Sequence, residues 1–302
     1  MKIVLAGGTG FLGRPLSETL TSDGHELVIL TRSPRRSSQV SAIRYIEWEP
    51  NGTTGDWADT IDGADAVINL SGESIADRRW SSTQKDLILN SRLLTTRSLV
   101  SAIQNARQPP DVLINSSATG YYGAREEMNL TEDAGPGNDF LSRTCVAWEA
   151  ETAPVVQAGT RLVLIRTGIV LERDGGALSK MLPPFRLFVG GPIGSGKQPM
   201  SWIHRADWIQ LINWALLTDS VSGPFNGTAP APVSNAEFSR ALGNALGRPS
   251  WLPVPAPVLR LALGEMADAL LLKGNHVVPA HATKLGFSFR YPEIDKALAA
   301  IL

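Results

Sequence analysis

Short apolar runs alternate with longer segments of helical period along the first half of the chain. Runs that are apolar without alternation predict buried strands at Ile3–Ala6, Leu27–Leu30, Ala66–Leu70, Val112–Asn115 and, with weaker patterning, Arg44–Glu47. Helical periodicity predicts helices at Phe11–Ser22, Gln84–Asn105 and Asp139–Ala158, and Arg161–Leu171 has the composition of a further strand. This alternation predicts an α/β fold with a doubly wound parallel sheet, whose ligands bind at the carboxyl ends of the strands.

The pattern changes after Leu171. Glycine and proline cluster in residues 174–176, 183–184 and 190–199, so this region is expected to be rich in loops. Helical periodicity returns at Ala206–Leu217, Asn235–Leu246, Pro257–Leu272 and, in a short amphipathic segment, Glu293–Leu302. We predict a core at residues 1–171, a mixed substrate-facing region interleaved with it at 172–248, and a small helical module at 249–302. The C-terminal part is expected to cover the binding edge of the sheet.

Charge and cysteine content narrow the class of protein. The 302 residues carry a net charge of −1, so neither nucleic acid nor an anionic membrane is expected as a partner. The single cysteine, Cys145, excludes an intrachain disulfide and suits a reducing compartment. No apolar run approaches the roughly 20 residues of a membrane helix, and no signal segment is recognisable, so a cytoplasmic location is expected. A homodimer is left open.

A glycine-rich loop joins the first strand to the first helix. Gly7, Gly10 and Gly13 follow one another at spacings of three residues. In a dinucleotide site the first glycine allows a tight turn, the second lets the backbone approach a pyrophosphate, and the third permits close packing of helix on strand. The helix N-terminus that follows supplies N–H donors for phosphate. We therefore predict a Rossmann-type cofactor site that also uses the other loop residues, Thr9, Phe11 and Leu12.

The end of the second strand indicates which dinucleotide is bound. About 20 residues beyond the glycines, an NAD site usually offers an acidic residue to the ribose hydroxyls. This chain instead has Thr31, Arg32 and Ser33 at that place. A guanidinium forks onto a phosphate that an acidic side chain would repel. NADP(H) is therefore the predicted cofactor, and a solvated basic turn is the alternative.

Several motifs resemble one known family over nearly the whole chain. The matching stretches are GGTGFLG (7–13), TRSP (31–34), DAVINLSGESIADRRW (65–80), SSATGYYG (116–123), RTGIVL (166–171), GGPIGSGKQPMSWIH (190–204) and PVSNAEF (232–238). Together they resemble the extended and atypical short-chain dehydrogenase/reductases, within the epimerase-like subfamily often labelled nucleoside-diphosphate-sugar epimerases. The tail from Arg248, which includes LGFSFRYP (285–292), is similar to the small C-terminal module of that subfamily.

The resemblance implies roles for particular residues. Leu70, Ser71 and Gly72 would line the nicotinamide ribose, and Ser116 would stand near the nicotinamide. Ser117 matches the catalytic serine, which hydrogen-bonds the reacting oxygen. We also assign Arg166, the first residue of the RTGIVL stretch, to cofactor binding.

The catalytic dyad of that family is not found in this sequence. Related enzymes carry Tyr-x-x-x-Lys on the helix after SSATGYYG, where the tyrosine moves a proton and the lysine lowers the pKa of the tyrosine. Alignment on the trailing Glu149 places Leu141 where the tyrosine would be and Cys145 where the lysine would be. Tyr122 is a second catalytic candidate, with a packed aromatic pair as the alternative.

Other candidate residues are equally consistent with structural roles. Lys85 and Arg92 lie seven residues apart on one predicted helix face and would reach a phosphate or form salt bridges. His204 and Asp207 are expected to be structural. No cluster of cysteine, histidine and acidic residues has the spacing of a metal site, so no metal is expected.

The leading hypothesis is an NADP(H)-dependent, oxidoreductase-like protein with an unknown small-molecule substrate. The alternative is a non-catalytic NADP(H) sensor or regulatory protein, since the resemblance extends to relatives associated with placement of the cell-division site. A nucleotide-sugar epimerase comes third, because it would need the missing dyad.

Overall fold

The fold is taken from a computed structural model, which describes residues 1–33, 42–125 and 129–302. Pro34, the last residue of the TRSP motif, lies outside them. The strands in chain order are β1 (Lys2–Ala6), β2 (Glu26–Thr31), β3 (Ile43–Glu47), β4 (Ala66–Asn69), β5 (Val112–Ala118), β6 (Arg161–Thr167), β7 (Ile169–Leu171), β8 (Pro199–Met200), β9 (Trp202–His204), β10 (Gly223–Gly227) and β11 (Val233–Ser234).

Seven of these strands form one parallel sheet in the order β10-β6-β5-β4-β1-β2-β3. The order reverses between β1 and β4, which is the Rossmann arrangement that leaves a crevice at the carboxyl ends of these two strands. The predicted α/β fold with a doubly wound parallel sheet is confirmed.

Helices cover both faces of the sheet. They are α1 (Gly13–Ser22), α2 (Ser82–Asn105), α3 (Phe140–Ala150), α4 (Gly176–Arg186), α5 (Arg205–Leu217), α6 (Asn235–Leu246), α7 (Ala256–Leu263), α8 (Glu265–Ala267), α9 (Ala280–Lys284) and α10 (Ile294–Ile301). Short 3-10 turns lie at Asp56–Thr60, Thr119–Tyr122 and Ala153–Ala158, and a π-helical turn lies at Asp268–Leu272.

The two faces of the sheet carry separate apolar cores. On β1, Ile3 and Leu5 face the core that includes α1 and α5, whereas Val4 and Ala6 face the core that includes α2. Successive strand residues point to opposite faces, so a strand buried on both faces must be apolar throughout. This explains why the strands of the sheet appear in the sequence as continuous apolar runs.

Three elements of the second half differ from the sequence prediction. Helix α4 continues through Pro183 and Pro184, in a region predicted to be loops, because both prolines fall in its last turn and Leu182 and Phe185 are buried. Strand β10, at the edge of the sheet, was not predicted because Gly223, Pro224 and Gly227 hide its pattern. The predicted helix Pro257–Leu272 is interrupted at Gly264, whose φ of +62° ends α7.

The C-terminal part has a core of its own. Leu182 and Phe185 of α4 pack with Phe238 and Leu242 of α6, and with Leu298 of α10.

Among the described residues, no helix is both long and apolar enough to cross a lipid bilayer.

Candidate functional site

The sheet register brings the predicted cofactor residues to one edge. Ala6, Asn69 and Asn115 are paired across β1, β4 and β5. The residues that follow each of them are Gly7, Leu70 and Ser116, so these three stand together at the carboxyl ends. Thr31 closes β2 one residue beyond the partner of Ala6. Residues from three separate motifs thus surround one crevice.

The glycine loop has the backbone geometry that its spacing predicts. Gly7 has a φ of +84° and packs so closely on the next strand that an added Cβ would lie 2.8 Å from the carbonyl carbon of Leu70. A Cβ on Gly13 would lie 2.2 Å from the carbonyl oxygen of Gly7. A Cβ on Gly10 would meet only that carbonyl within 4 Å, and Gly10 is exposed, so the side of the loop at Gly10 is open to a ligand.

The remaining loop residues and the β2 end flank this opening. Helix α1 begins at Gly13 without a side-chain cap, and the N–H groups of Arg14 and Leu16 donate to the carbonyls of Gly10 and Leu12, so the helix offers a ligand chiefly the positive end of its dipole. The ring of Phe11 packs against Gly175 and Gly176 at the start of α4, whereas Thr9 is exposed. Arg32 and Ser33 are exposed at the end of β2, beside the loop.

Buried hydrogen bonds of two asparagine side chains stabilise the backbone at the crevice. The Asn69 amide donates to Asn115 at 2.7 Å and to Thr96 at 3.1 Å, and its carbonyl oxygen accepts from the backbone N–H of Ser71 at 3.1 Å. Trp148 of α3 donates to the same Thr96 hydroxyl. These bonds fix the turn that follows β4, where Ser71 and the exposed Gly72 were predicted to line a ribose.

A buried ion pair joins strand β6 to helix α3. The Arg166 guanidinium donates to both carboxylate oxygens of Glu149, at 2.9 and 2.8 Å, and the Ser117 hydroxyl donates to the same carboxylate at 2.6 Å. Burial alone would lower the pKa of Arg166, but its bonds to Glu149 raise that pKa above its ordinary value. The Ser117 hydrogen is therefore already engaged within the protein.

Tyr122 is packed into the same interior network. Its hydroxyl donates to Asn226 at 2.7 Å and accepts from Arg166 at 3.0 Å. The ring is fully buried beside Tyr121, and burial raises the pKa of Tyr122 to about 12. Neither Tyr122 nor Arg166 lines the cavity described below. Their catalytic and cofactor roles stay predictions, and this packing favours a structural role for both.

Helix α3 turns Leu141 and Cys145 toward the turn that follows β5. A Cβ on Gly120, just after β5, would lie 3.3 Å from the Cβ of Leu141 and 3.8 Å from the Sγ of Cys145. The two side chains therefore face the turn at the β5 end. Cys145 is buried, and desolvation, with the nearby charge of Glu149, raises the pKa of its thiol to about 12. A thiol in this state is a poor nucleophile.

The Arg92 side chain of α2 places a cation in this region. The Arg92 guanidinium lies against Gly72, since a Cβ on that glycine would be 3.2 Å from the Arg92 Cζ, and it stacks 5.2 Å from the ring centre of Trp148. It donates to the carbonyls of Glu73 and Ile88. Burial lowers the pKa of Arg92, and the nearby Cys145 and Glu73 partly offset this effect.

A cavity of about 530 Å³ opens beside the β5 end. Thr119, Gly120 and Leu141 form its floor. Its other walls come from α4, α6 and the C-terminal module, including Phe185, Phe238, Met266 and Leu270. The C-terminal part thus covers the binding edge of the sheet, and the volume is that of a site for a small molecule.

Other predicted candidates are occupied by structural contacts. Lys85 pairs with Glu265 at 2.5 Å. Asp207 accepts from the backbone N–H groups of Arg290 and Tyr291, and His204 stacks on the ring of Tyr291 at 4.0 Å. Within the described residues, no group of three or more histidine, cysteine or acidic side chains is arranged to hold a metal ion.

Sequence reasoning missed the partners that complete the site. Glu149 was used only to align helix α3, and Asn69 and Asn115 were predicted only as members of buried strands. A signal for the two asparagines is present, because each is a polar residue at or next to the end of an apolar run, and the two would meet at one edge of a parallel sheet. Glu132 has no such signal: it is buried in a loop and accepts from the backbone of Asn226 and His281.

Known proteins match this chain along its whole length. The model of the NAD dependent epimerase/dehydratase family matches residues 3–226, and a domain of unknown function, DUF1731, matches residues 254–301. The chloroplastic epimerase family protein SDR39U1 homolog of Arabidopsis thaliana is 41% identical over 100% of this chain and 87% of its own length.

Two solved structures share both sequence and fold with it. Human epimerase family protein SDR39U1, crystallised with NADPH, is 37% identical with a TM-score of 0.91, over 100% of this chain and 99% of that one. A nucleoside-diphosphate sugar epimerase from Corynebacterium glutamicum is 32% identical with a TM-score of 0.79, over 100% of this chain and 58% of that one. The predicted resemblance is confirmed: this chain belongs to the NAD-dependent epimerase/dehydratase family.

Proposed function

We propose that this protein binds NADP(H) at the carboxyl edge of its sheet and transfers hydride to or from a small molecule in the adjacent cavity. The observation that carries the proposal is the convergence of Gly7, Leu70 and Ser116 beside an open Gly10 and an uncapped α1 N-terminus. The similar human protein, crystallised with NADPH, supports the same cofactor.

The residues present fit the phosphorylated dinucleotide. Gly10 admits the pyrophosphate, and the α1 N-terminus faces its negative charge. The exposed Arg32 offers a fork of N–H donors to a 2′-phosphate, where an acidic residue would repel it. When bound, NADPH supplies a hydride that, with one proton from water, converts a carbonyl to an alcohol and leaves NADP⁺.

We assign Arg92 a cofactor-binding role, in which its cation lies beside the predicted ribose site, and helix α3 offers no tyrosine for this cation to activate. Its guanidinium lies against Gly72, in the turn predicted to line the ribose, and near Cys145, which aligns with the missing lysine. The cation thus comes from α2 while α3 stays apolar. Ser117 is buried, lies outside the cavity lining and donates its hydrogen to Glu149, and these contacts favour a structural role for it over contact with a substrate.

Titration of the purified protein with NADPH and NADH, followed by dihydronicotinamide fluorescence, tests the cofactor assignment. We expect tighter binding of NADPH, and a loss of about tenfold in Arg32→Ala for NADPH only, because a charge-assisted contact to phosphate is lost. Arg44→Ala, an exposed arginine on the neighbouring β3, is the matched control. Equal affinity for both cofactors in the wild type would refute the proposal.

A second candidate is a cofactor-dependent sensor without turnover. The apolar Leu141 and the protonated Cys145 favour it, since helix α3 supplies no tyrosine or lysine for proton transfer. A screen of carbonyl compounds for NADPH consumption distinguishes the two functions. Turnover would exclude the sensor, whereas tight NADPH binding with no consumption across aldehydes and ketones would favour it.

A further inference from the structure

The cavity beside the β5 end is walled mainly by hydrocarbon. Leu141, Met181, Phe185, Phe238, Met266 and Leu270 contribute to its walls from five different elements. Thr119 and Gly120, which reach it from the sheet, present a single hydroxyl. A molecule in this space would meet apolar surface on most sides.

The charged groups at the cavity are already engaged, with one exception. Lys180 is held by the carboxylate of Asp77 at 2.7 Å and by the Ala76 carbonyl at 3.1 Å. The Asp139 carboxylate caps α3 by accepting from Ser142. The exception, among the described residues that line the cavity, is the exposed Lys273, which has no recorded hydrogen bond or ion pair and acts only through its charge on the nearby Asp268 carboxylate.

The N–H groups of two amide side chains at the cavity are engaged as well. Asn275 donates to the carbonyls of Thr119 and Gly123, at 2.8 and 3.1 Å. The Gln198 amide donates to the carbonyls of Ile193 and Leu271. Both side chains therefore hold the walls together, and their N–H groups are not available to hydroxyl groups of a ligand.

A nucleotide sugar is poorly matched to such walls. Its diphosphate carries two negative charges, and its sugar and ribose carry several hydroxyls. Each of these groups loses its hydration on entering the cavity and must find a partner there, or binding is penalised. Lys273 alone cannot replace the arginines and amides that such a ligand requires.

The rim of the cavity continues the apolar surface outward. Val189 both lines the cavity and is 44% exposed. Its neighbour Phe188 is 53% exposed in a left-handed conformation, with a φ of +64°, and Trp251 donates to its carbonyl at 3.2 Å. This bond places the Trp251 side chain beside Phe188, whose ring lies 4.5 Å from the Arg248 guanidinium. Exposed apolar groups rimming a pocket mark a ligand-binding surface.

We propose that the cavity is the binding site for a mainly hydrocarbon molecule that bears one carbonyl or alcohol group. This inference rests on the proposed function for its chemistry, since the oxygen-bearing carbon is the one that would exchange hydride with the nicotinamide. The Thr119 hydroxyl, Lys273 and the side-chain oxygen of Gln198, a buried acceptor that has no hydrogen-bond partner, are polar groups available to the oxygen end. Nucleotide sugars are excluded from this site.

Calorimetric titration of the full chain with 1-alkanols from butanol to decanol, and with UDP-glucose, tests the assignment. We expect the dissociation constant to fall about threefold to fourfold with each added methylene, because each buries a further CH₂ in the cavity. Leu270→Gln should weaken decanol binding by about tenfold, because it places an amide against the hydrocarbon chain. Leu261→Gln is the matched control, since Leu261 is 82% exposed and lies outside the cavity lining.

The outcomes separate this inference from the proposed function. Binding of UDP-glucose, or alkanol affinities that do not rise with chain length, would overturn the hydrocarbon site while leaving NADPH binding intact. A rising series in a protein that fails to bind NADPH would support the site and refute the proposed function. The chain-length series uses the wild-type protein, so the test does not depend on the folding of Leu270→Gln.

Discussion

Ser117 donates its hydroxyl hydrogen to Glu149, whose carboxylate is held on both oxygens by Arg166. The three side chains come from β5, α3 and β6, so the bonds tie the central strands to the helix that covers the cavity. The Glu149 and Arg166 side chains are only 10% and 5% exposed. Glu149 thus joins the predicted catalytic serine to the structural core.

The ion pair should be essential for stability. We expect Glu149→Gln to lower the free energy of unfolding by about 3 kcal/mol, because it leaves the buried guanidinium of Arg166 without a counter-charge. Urea unfolding followed by circular dichroism measures the change. Glu151→Gln is the matched control: its bond to Arg97 is partly exposed, and its loss should cost less than about 1 kcal/mol. Equal losses in the two variants would contradict the assignment.

The close packing of the glycine loop gives a second prediction. Gly13→Ala should abolish NADPH binding, because its Cβ would lie 2.2 Å from the Gly7 carbonyl oxygen and must displace the loop. Gly135→Ala is the control, since nothing lies within 4 Å of its Cβ position. Fluorescence titration with NADPH measures both variants, and a Gly13→Ala protein that binds as tightly as the wild type would refute the loop assignment.

The fold was predictable because its signals are local. Gly7, Gly10 and Gly13 lie along the single short connection from β1 to the first residue of α1, and a strand buried on both faces must be apolar along its own length. Helix α6 was predicted from its periodicity at its observed bounds, Asn235–Leu246, and the structure begins it with a capping box of Ser234 and Glu237 and ends it at Gly247. Such features can be found without knowing the rest of the fold.

The interior of the site was not predictable for the opposite reason. Ser117 and Glu149 are 32 residues apart, and Tyr122 meets Asn226 across 104 residues. Nothing in the local pattern distinguishes these partners from surface polar residues. The burial of Arg92 could not be predicted from the sequence for the same reason, because its surroundings depend on how α2 packs against α3 and against the turn after β4.

The position of Arg92 predicts a contribution to cofactor binding. Arg92→Leu should weaken NADPH binding by about tenfold, because it removes the cation beside the predicted ribose site, and Arg92→Lys should restore part of the affinity. Arg97→Leu, on the same helix but paired with Glu151 away from the crevice, should bind normally. If Arg92→Leu binds NADPH as well as the wild type does, then the cation has no role in the cofactor site.

The pH dependence of stability should report on His204. Burial lowers the pKa of His204 below the ordinary value of 6.5, so the unfolded chain takes up a proton that the folded chain refuses. The unfolding free energy should therefore fall as the pH drops below about 6.5, and it should be constant above that pH. His204→Asn keeps an acceptor for the Ala206 N–H and should show a shallower fall in urea titrations between pH 5 and 8. Burial also lowers the pKa of His25, so His25→Asn is measured in parallel to separate the two contributions. An identical pH profile for His204→Asn and the wild type would show that the folded protein accommodates a charged ring against Tyr291.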